Sequence, residues 1–276
     1  LTPLMQAFTW LGYDRFILLF LPLGYWAWNK PMFLRLFILV AITALLNAFL
    51  KDLWQDPRPD VALRMDHDVG ESFGAPSGHS QIAVVLWLWL AYESRRLWGW
   101  VVCSVIVLGI IFSRLYLGAH DIEDVLLGSA LGAATLLVFA LVKDWAWWRE
   151  GGLLWHLLLV VLVALVAQLS WPGTAPYYVP LLAGMLLGVL SGYRLEVRKL
   201  DFQAPIQLWR RALVAVVGCV AFLLFQMLMK KLQPVLGLEP LLWQSLSGVL
   251  MGLFIAALMP WLMVCCRLLS ARHTMA

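Results

Sequence analysis

Three short polar clusters interrupt a chain that is otherwise strongly apolar. They read Lys51-x6-Arg58-Pro59, then Pro76-Ser77-Gly78-His79, then Ser113-Arg114-x5-His120-x3-Asp124. His120 and Asp124 stand four apart at a predicted helix start, so they share a face and the carboxylate leans back toward the imidazole. An ionised carboxylate on one ring nitrogen fixes the tautomer and leaves the other nitrogen as a lone-pair nucleophile. His79 follows Pro-Ser-Gly at another predicted helix start, where free N–H groups and the positive helix end favour an anion, and Gly78 lets the backbone approach one closely. Lys51, Arg58 and Arg114 supply positive charge and forked donors for phosphoryl oxygens, and Ser77 adds a hydroxyl donor. No acidic cluster suited to Mg²⁺ accompanies them, so three protein cations are expected in place of a metal, with no cofactor. The chemistry implied is two in-line displacements. His120 attacks phosphorus while His79 protonates the leaving oxygen, and a water activated by His79 then hydrolyses the phosphohistidine.

Ionisable groups at membrane depth are costly unless paired or lining a wet cavity, so the elements carrying these clusters must bring them to one place. The chain has 276 residues, 63% hydrophobic and 13% charged, about half the charged share of a soluble domain. Nine apolar segments can be drawn, at 13–28, 32–50, 79–94, 97–117, 121–142, 153–171, 176–194, 206–230 and 240–268, of which the first and third are short for a span. The expected fold is all-α, a polytopic transmembrane bundle of about nine spans. If the segments alternate, Lys30, Arg95, Arg96, Lys143, Arg149, Arg194, Arg198, Lys199, Arg267 and Arg272 share one side, which is then cytoplasmic, and every chemical cluster faces the other side. No leader pattern of basic segment, short apolar run and small-residue cleavage site occurs, so targeting is expected through the first span. Residues 1–12 read as an interfacial lead-in. Most of the 16 tryptophans, such as Trp26, Trp28, Trp98 and Trp100, lie at segment ends and read as an aromatic belt. Gly128/Gly132, Gly184/Gly188 and Gly248/Gly252 suit close helix contact, and Pro260 should kink the last helix. The four cysteines have no metal-ligand spacing.

The three clusters, in this order and with these gaps, resemble the three-part signature of the type 2 phosphatidic acid phosphatase superfamily. The likeness covers residues 10–142, with no departure inside the motifs. It implies a metal-independent membrane phosphatase acting on phosphatidic acid, sphingoid-base phosphates, phosphatidylglycerol phosphate or polyprenyl diphosphates such as undecaprenyl diphosphate. It carries the nucleophile onto His120, its partner onto Asp124 and the general acid onto His79. Phosphate binding falls to Lys51, Arg58, Ser77, Gly78 and Arg114. A phosphatase core over 1–142 is then followed by additional transmembrane helices over 143–276. That total resembles the longer sphingosine-phosphate-phosphatase-like and glucose-6-phosphatase-like branches.

Other readings stand beside this one. A phosphotransferase would pass the phosphoryl group to another lipid or glycolipid; a sugar-phosphate phosphatase would act on a soluble substrate; a transporter or scaffold would bind phosphate without needing the His120/Asp124 pair and His79. The formal charge of +4 is spread over short loops and gives nucleic-acid binding no support. The partners expected are a lipid substrate and the bilayer, with the oligomeric state undefined. The expected location is a bacterial inner membrane with the site on the periplasmic side. His156 reads as a bundle hydrogen-bonder, and Asp66, His67 and Asp68 as a solvated loop rather than a metal site.

Overall fold

A computed structural model describes residues 1–66, 69 and 72–272. Helices make up most of the chain: α1 (Thr2–Trp10), α2 (Asp14–Ala27), α3 (Lys30–Trp54), α4 (Gly78–Ser94), α5 (Leu97–Tyr116), α6 (Ile122–Val142), α7 (Ala146–Arg149), α8 (Leu153–Ser170), α9 (Tyr178–Lys199), α10 (Leu208–Leu236), α11 (Pro240–Leu253) and α12 (Met259–Cys265). A π-helical turn, Phe254–Leu258, joins the last two. Two short antiparallel strands, β1 (Phe202–Gln203) and β2 (Ser270–Ala271), pair Phe202 with Ala271. Among the described residues, seven helices are long and apolar enough to cross a membrane: α3, α5, α6, α8, α9, α10 and the run Pro240–Cys265. The remaining two segments drawn from the sequence are α2 and α4, with 14 and 17 residues. At about 1.5 Å per residue they reach roughly 21 and 26 Å, short of a hydrocarbon core of about 30 Å.

The chain forms two compact units: Leu1–Leu18, Arg35–Trp145 and Ser170–Ala175 in the first, and Leu19–Leu34, Ala146–Leu169 and Pro176–Ala276 in the second. Residues 19–34 group with the C-terminal helices in the second unit.

In the first unit α4 packs on both α5 and α6. Gly128 and Gly132 make the α6 contact possible: a Cβ on Gly128 would lie 2.5 Å from the Ser77 carbonyl oxygen, and one on Gly132 2.8 Å from that of Gln81. The N-terminal segment is more than an interfacial lead-in. α1 packs on α5 with Met5 and Thr9 buried, and the Phe8 ring fills the space that Gly109 leaves.

In the second unit α9 and α11 approach through Gly184, Gly188, Gly248 and Gly252, where any Cβ would meet backbone of the facing helix. Pro260 has no N–H, so the Ala256 carbonyl four residues before it has no intrahelical donor, and in the π-turn the Met259 N–H goes to the Phe254 carbonyl, which frees Ile255 O as well. Trp26 Nε1 donates to Ile255 O at 2.8 Å and Tyr25 Oη to Ala256 O at 3.5 Å. Trp26 is therefore fully buried, not part of the belt, whereas Trp28 and Trp98 are exposed. Lys30, expected as a topological charge, is buried and bonds Glu196 at 2.8 Å and Asp201 at 2.9 Å. His156 donates to the Trp148 carbonyl at 2.8 Å, as a bundle hydrogen-bonder should.

Gly188→Val drives a branched side chain into the Val249 carbonyl and Gly252. Overpacking of this kind costs about 1–3 kcal/mol, so the thermal unfolding midpoint in detergent should fall by several degrees; an unchanged midpoint contradicts the packing.

Candidate active site

Four helix ends of the first unit carry the three clusters: the C-termini of α3 and α5 and the N-termini of α4 and α6. α6 opens with Asp121 as N-cap, whose side chain accepts the Asp124 N–H at 2.9 Å, a standard use of Asp at a helix start. That start aims Asp124 at the preceding turn. Its Oδ2 lies 2.7 Å from His120 Nδ1, with both side chains almost fully buried. The Asp124 carbonyl accepts the Ser77 N–H at 3.0 Å, so the third cluster is bonded directly to the second.

The first cluster closes over the same place. Arg58 Nη1 lies 3.0 Å from Ala119 O and 3.3 Å from His120 Nε2, while its Nε and Nη2 bond the Ser72 carbonyl and hydroxyl at 2.5 and 2.9 Å. Lys51 Nζ donates to Gly74 O at 2.7 Å and also to Phe73 O. Gly118, at φ +64, turns the chain between Arg114 and His120 where the Leu63 carbonyl leaves no space for a Cβ. The Met65 N–H to Leu117 O bond, 2.9 Å, holds the long loop against this turn.

Two facts fix the state of His120. A carboxylate accepts only, so Nδ1 carries the proton toward Asp124; a guanidinium donates only, so Nε2 carries the lone pair toward Arg58. Burial and the charges of Arg58, Lys51 and Arg114 hold this imidazole well below its ordinary range, so the contact with Asp124 is a hydrogen bond of a neutral ring. Burial, followed by Arg114 and Arg64, lowers Arg58 to about 10, which still leaves it charged at neutral pH.

His79, in the first turn of α4, is within electrostatic reach of Arg114, His120, Arg58 and Lys51, and its Nε2 is buried without a hydrogen-bond partner. Arg114 is 2% exposed; its Nη1 bonds Asp66 Oδ2 at 2.7 Å and also Thr9 Oγ1, while its Nε is buried and unpartnered. Ser77 is fully buried and its hydroxyl accepts from Ser80 at 3.2 Å, leaving its own proton to donate. All eight residues singled out in the sequence belong to the first unit, and direct contacts join Arg58 to His120, His120 to Asp124 and Asp124 to Ser77.

Gly78 has a reason of its own that the sequence did not suggest: a Cβ there would lie 2.9 Å from Asn47 Oδ1. Asn47 is buried, and its Nδ2 donates to Pro76 O at 3.0 Å and Gln81 Oε1 at 2.9 Å, holding the second cluster in place. Its signal was present, a lone amide one helical turn before Lys51 on an apolar helix. Asp66 is not a solvated loop residue but a buried partner of Arg114, its side chain 8% exposed. His67 and Asp68 lie outside the described residues.

Residues 33–149 match the PAP2 superfamily, and residues 181–272 match the family described as PAP2 superfamily phosphatase, transmembrane extension. The chain is 34% identical over 156 residues to phosphatidylglycerophosphatase B of Bacillus subtilis (strain 168), covering 52% of this chain and 74% of that one. It is 26% identical over 155 residues to sphingosine-1-phosphate phosphatase 1 of Rattus norvegicus, covering 51% of this chain and 36% of that one. The aligned stretch thus spans about a third of the length of such longer relatives. The crystal structure of the first transmembrane PAP2 type phosphatidylglycerolphosphate phosphatase from Bacillus subtilis superimposes with a TM-score of 0.44 at 24% identity, over 52% of this chain and 76% of that one. With its apolar helices and the transmembrane extension, the chain is an integral membrane protein.

Asn47→Leu leaves the buried Pro76 carbonyl without its donor, a loss of about 1–3 kcal/mol; the unfolding midpoint should drop, and a wild-type midpoint contradicts the role. His120 makes a second prediction. Below about pH 6.5 the unfolded chain takes up a proton that the folded His120 refuses, so its contribution to stability is complete above that pH and is lost as pH falls. Between pH 7 and 5 the midpoint of wild type should fall more steeply than that of His120→Asn; parallel curves contradict the neutral, buried ring.

Proposed function

The chain is a member of the PAP2 superfamily, and from that premise we propose that it hydrolyses a phosphomonoester or diphosphate carried by a membrane lipid, without a metal, through a phosphohistidine on His120. The observation that carries this is the buried His120 ring with Asp124 Oδ2 2.7 Å from Nδ1 and Arg58 Nη1 3.3 Å from Nε2.

In the first step Nε2 donates its electron pair to phosphorus. The P–O bond to the lipid oxygen breaks, its pair goes to that oxygen, and a proton from His79 neutralises it. The ring becomes positively charged while holding both the phosphoryl group and the Nδ1 proton, and the Asp124 carboxylate stabilises that charge. In the second step a water oxygen bonds to phosphorus, its proton passes to His79, and the N–P pair returns to Nε2. Ester and water become alcohol and phosphate, or diphosphate and water become lipid monophosphate and phosphate, with both histidines restored. Lys51, Arg58, Arg114, the Ser77 hydroxyl and the backbone at Gly78 meet the charge on the equatorial oxygens.

The relatives named above make phosphatidylglycerol phosphate and sphingoid-base phosphates the first substrates to try, followed by phosphatidic acid and undecaprenyl diphosphate. The same proposal counts nine crossings, with α2 and α4 as short spans, residues 1–142 as the phosphatase core and 143–276 as added helices. By the positive-inside rule the site lies on the non-cytoplasmic side, which in a bacterial inner membrane, the location proposed, is the periplasmic one.

Purified protein in EDTA-containing detergent should release phosphate from at least one of these lipids. His120→Ala should abolish turnover, and His79→Ala should slow it by about 10²–10⁴-fold, the usual worth of a general acid–base group. Glucose 6-phosphate as the sole substrate, or label appearing in a second lipid instead of in free phosphate, would replace this reading with a sugar phosphatase or a phosphotransferase. Wild-type rates in either variant overturn the assigned roles.

A further inference from the structure

The α1–α2 turn reaches the site from a direction that none of the three motifs marks, and it lies before the residues matched to the superfamily. Tyr13, in that turn, donates its hydroxyl to both carboxylate oxygens of Asp66 at 2.7 Å. Asp66 in turn accepts Arg114 Nη1 at 2.7 Å, and Thr9, one turn back on α1, accepts from the same nitrogen. The Tyr13 ring meets the His79 ring edge-on with centroids 4.8 Å apart, and a Cβ on Gly12 would lie 2.7 Å from His79 Cδ2. One turn of chain therefore touches a proposed phosphate ligand and the proposed general acid together.

The pattern of contacts on Arg114 says what this does. Nη1 is committed to Asp66 and Thr9, whereas Nε is buried with no partner. Nε and Nη2 form the side-on fork that grips two oxygens of a phosphate. Asp66 holds only the far corner of the guanidinium, so it does not compete for that fork. Nor is it a carboxylate free to swing, because Tyr13 engages both of its oxygens and burial keeps that phenol protonated.

We infer that Tyr13 and Asp66 are positioning residues: Asp66 fixes Arg114 by Nη1 so that its Nε fork faces the phosphoryl oxygens, and Tyr13 anchors Asp66 while bracing the His79 ring. This rests on reading Arg114 as a phosphate ligand. Its effect falls on any state in which phosphoryl oxygens occupy the fork and is largest in the transition state, where misplacement of a charged donor is most costly, and it extends the functional part of the chain to the first 13 residues.

The test uses the full chain in detergent with two readouts, phosphate release under steady state and protection from thermal unfolding by inorganic phosphate. Tyr13→Phe keeps the ring against His79 and removes only the hydroxyl. It should lower kcat about 10-fold with KM within about 2-fold, and weaken half-saturation by inorganic phosphate several-fold. Asp66→Asn should lower kcat about 10²-fold, and the double variant should fall no further, because Tyr13 acts through Asp66. Wild-type kcat and phosphate protection in Tyr13→Phe, a lowered unfolding midpoint with kcat unchanged, faster turnover in Asp66→Asn, or additive losses in the double variant would each overturn the inference. If no lipid yields phosphate in the wild type, the phosphatase reading fails, and protection by inorganic phosphate still decides this one: weakened several-fold or lost in Tyr13→Phe it stands, unchanged there or absent in wild type it falls.

Discussion

His120 lies between a group that can only accept a hydrogen bond and a group that can only donate one. With Asp124 Oδ2 at 2.7 Å from Nδ1 and Arg58 Nη1 at 3.3 Å from Nε2, one tautomer satisfies both neighbours. The rest of the first unit can be understood as what is needed to hold that ring there. Asp124 is aimed by the Asp121 cap and tied to Ser77 through its carbonyl, and the tie is possible because α6 carries Gly128 where α4 begins. Arg58 is aimed by Ser72 and Ala119. Each contact is ordinary, but together they leave the ring little freedom.

Gathering the buried Lys51 and Arg114 with the half-buried Arg58 is electrostatically unfavourable unless each charge finds acceptors. The chain supplies these mostly from backbone: Phe73 and Gly74 carbonyls for Lys51, Ser72 and Ala119 carbonyls for Arg58. Backbone dipoles satisfy the donors of Lys51 and Arg58 without cancelling their charge, which stays available to an anion. Arg114 is the exception, paired with a full carboxylate, and it is there that the structure adds a second layer of support from Tyr13 and Thr9. Of the described residues between α3 and α4, Met65 is fastened to Leu117 and Gly74 to Asp56.

The site was legible in the sequence to the extent that chemistry dictates residue type and local spacing. A histidine and an aspartate four apart, or a glycine between a serine and a histidine, state their purpose within one helical turn. The glycine pairs were legible for the same reason, since close helix approach demands them at fixed intervals. What escaped was contact across long separations. Nothing near Tyr13 or Thr9 signals a partner about fifty or a hundred residues on. A carboxylate in a polar loop reads as solvated until Arg114 is seen beneath it. Lys30 and Trp26 misled because a basic residue and an indole at a helix end are also what an interface would contain. Their burial follows from Glu196 and from the carbonyls released by the π-turn.

Everything rests on Nε2 of His120 becoming bonded to phosphorus. Brief exposure of the protein to a ³²P-labelled lipid substrate, acid-free quenching and peptide mapping would test this directly. The account predicts an acid-labile, base-stable label on the peptide carrying His120, which forms and decays no slower than turnover. Label on any other residue, or full turnover with no labelled peptide under conditions that preserve phosphohistidine, would contradict it.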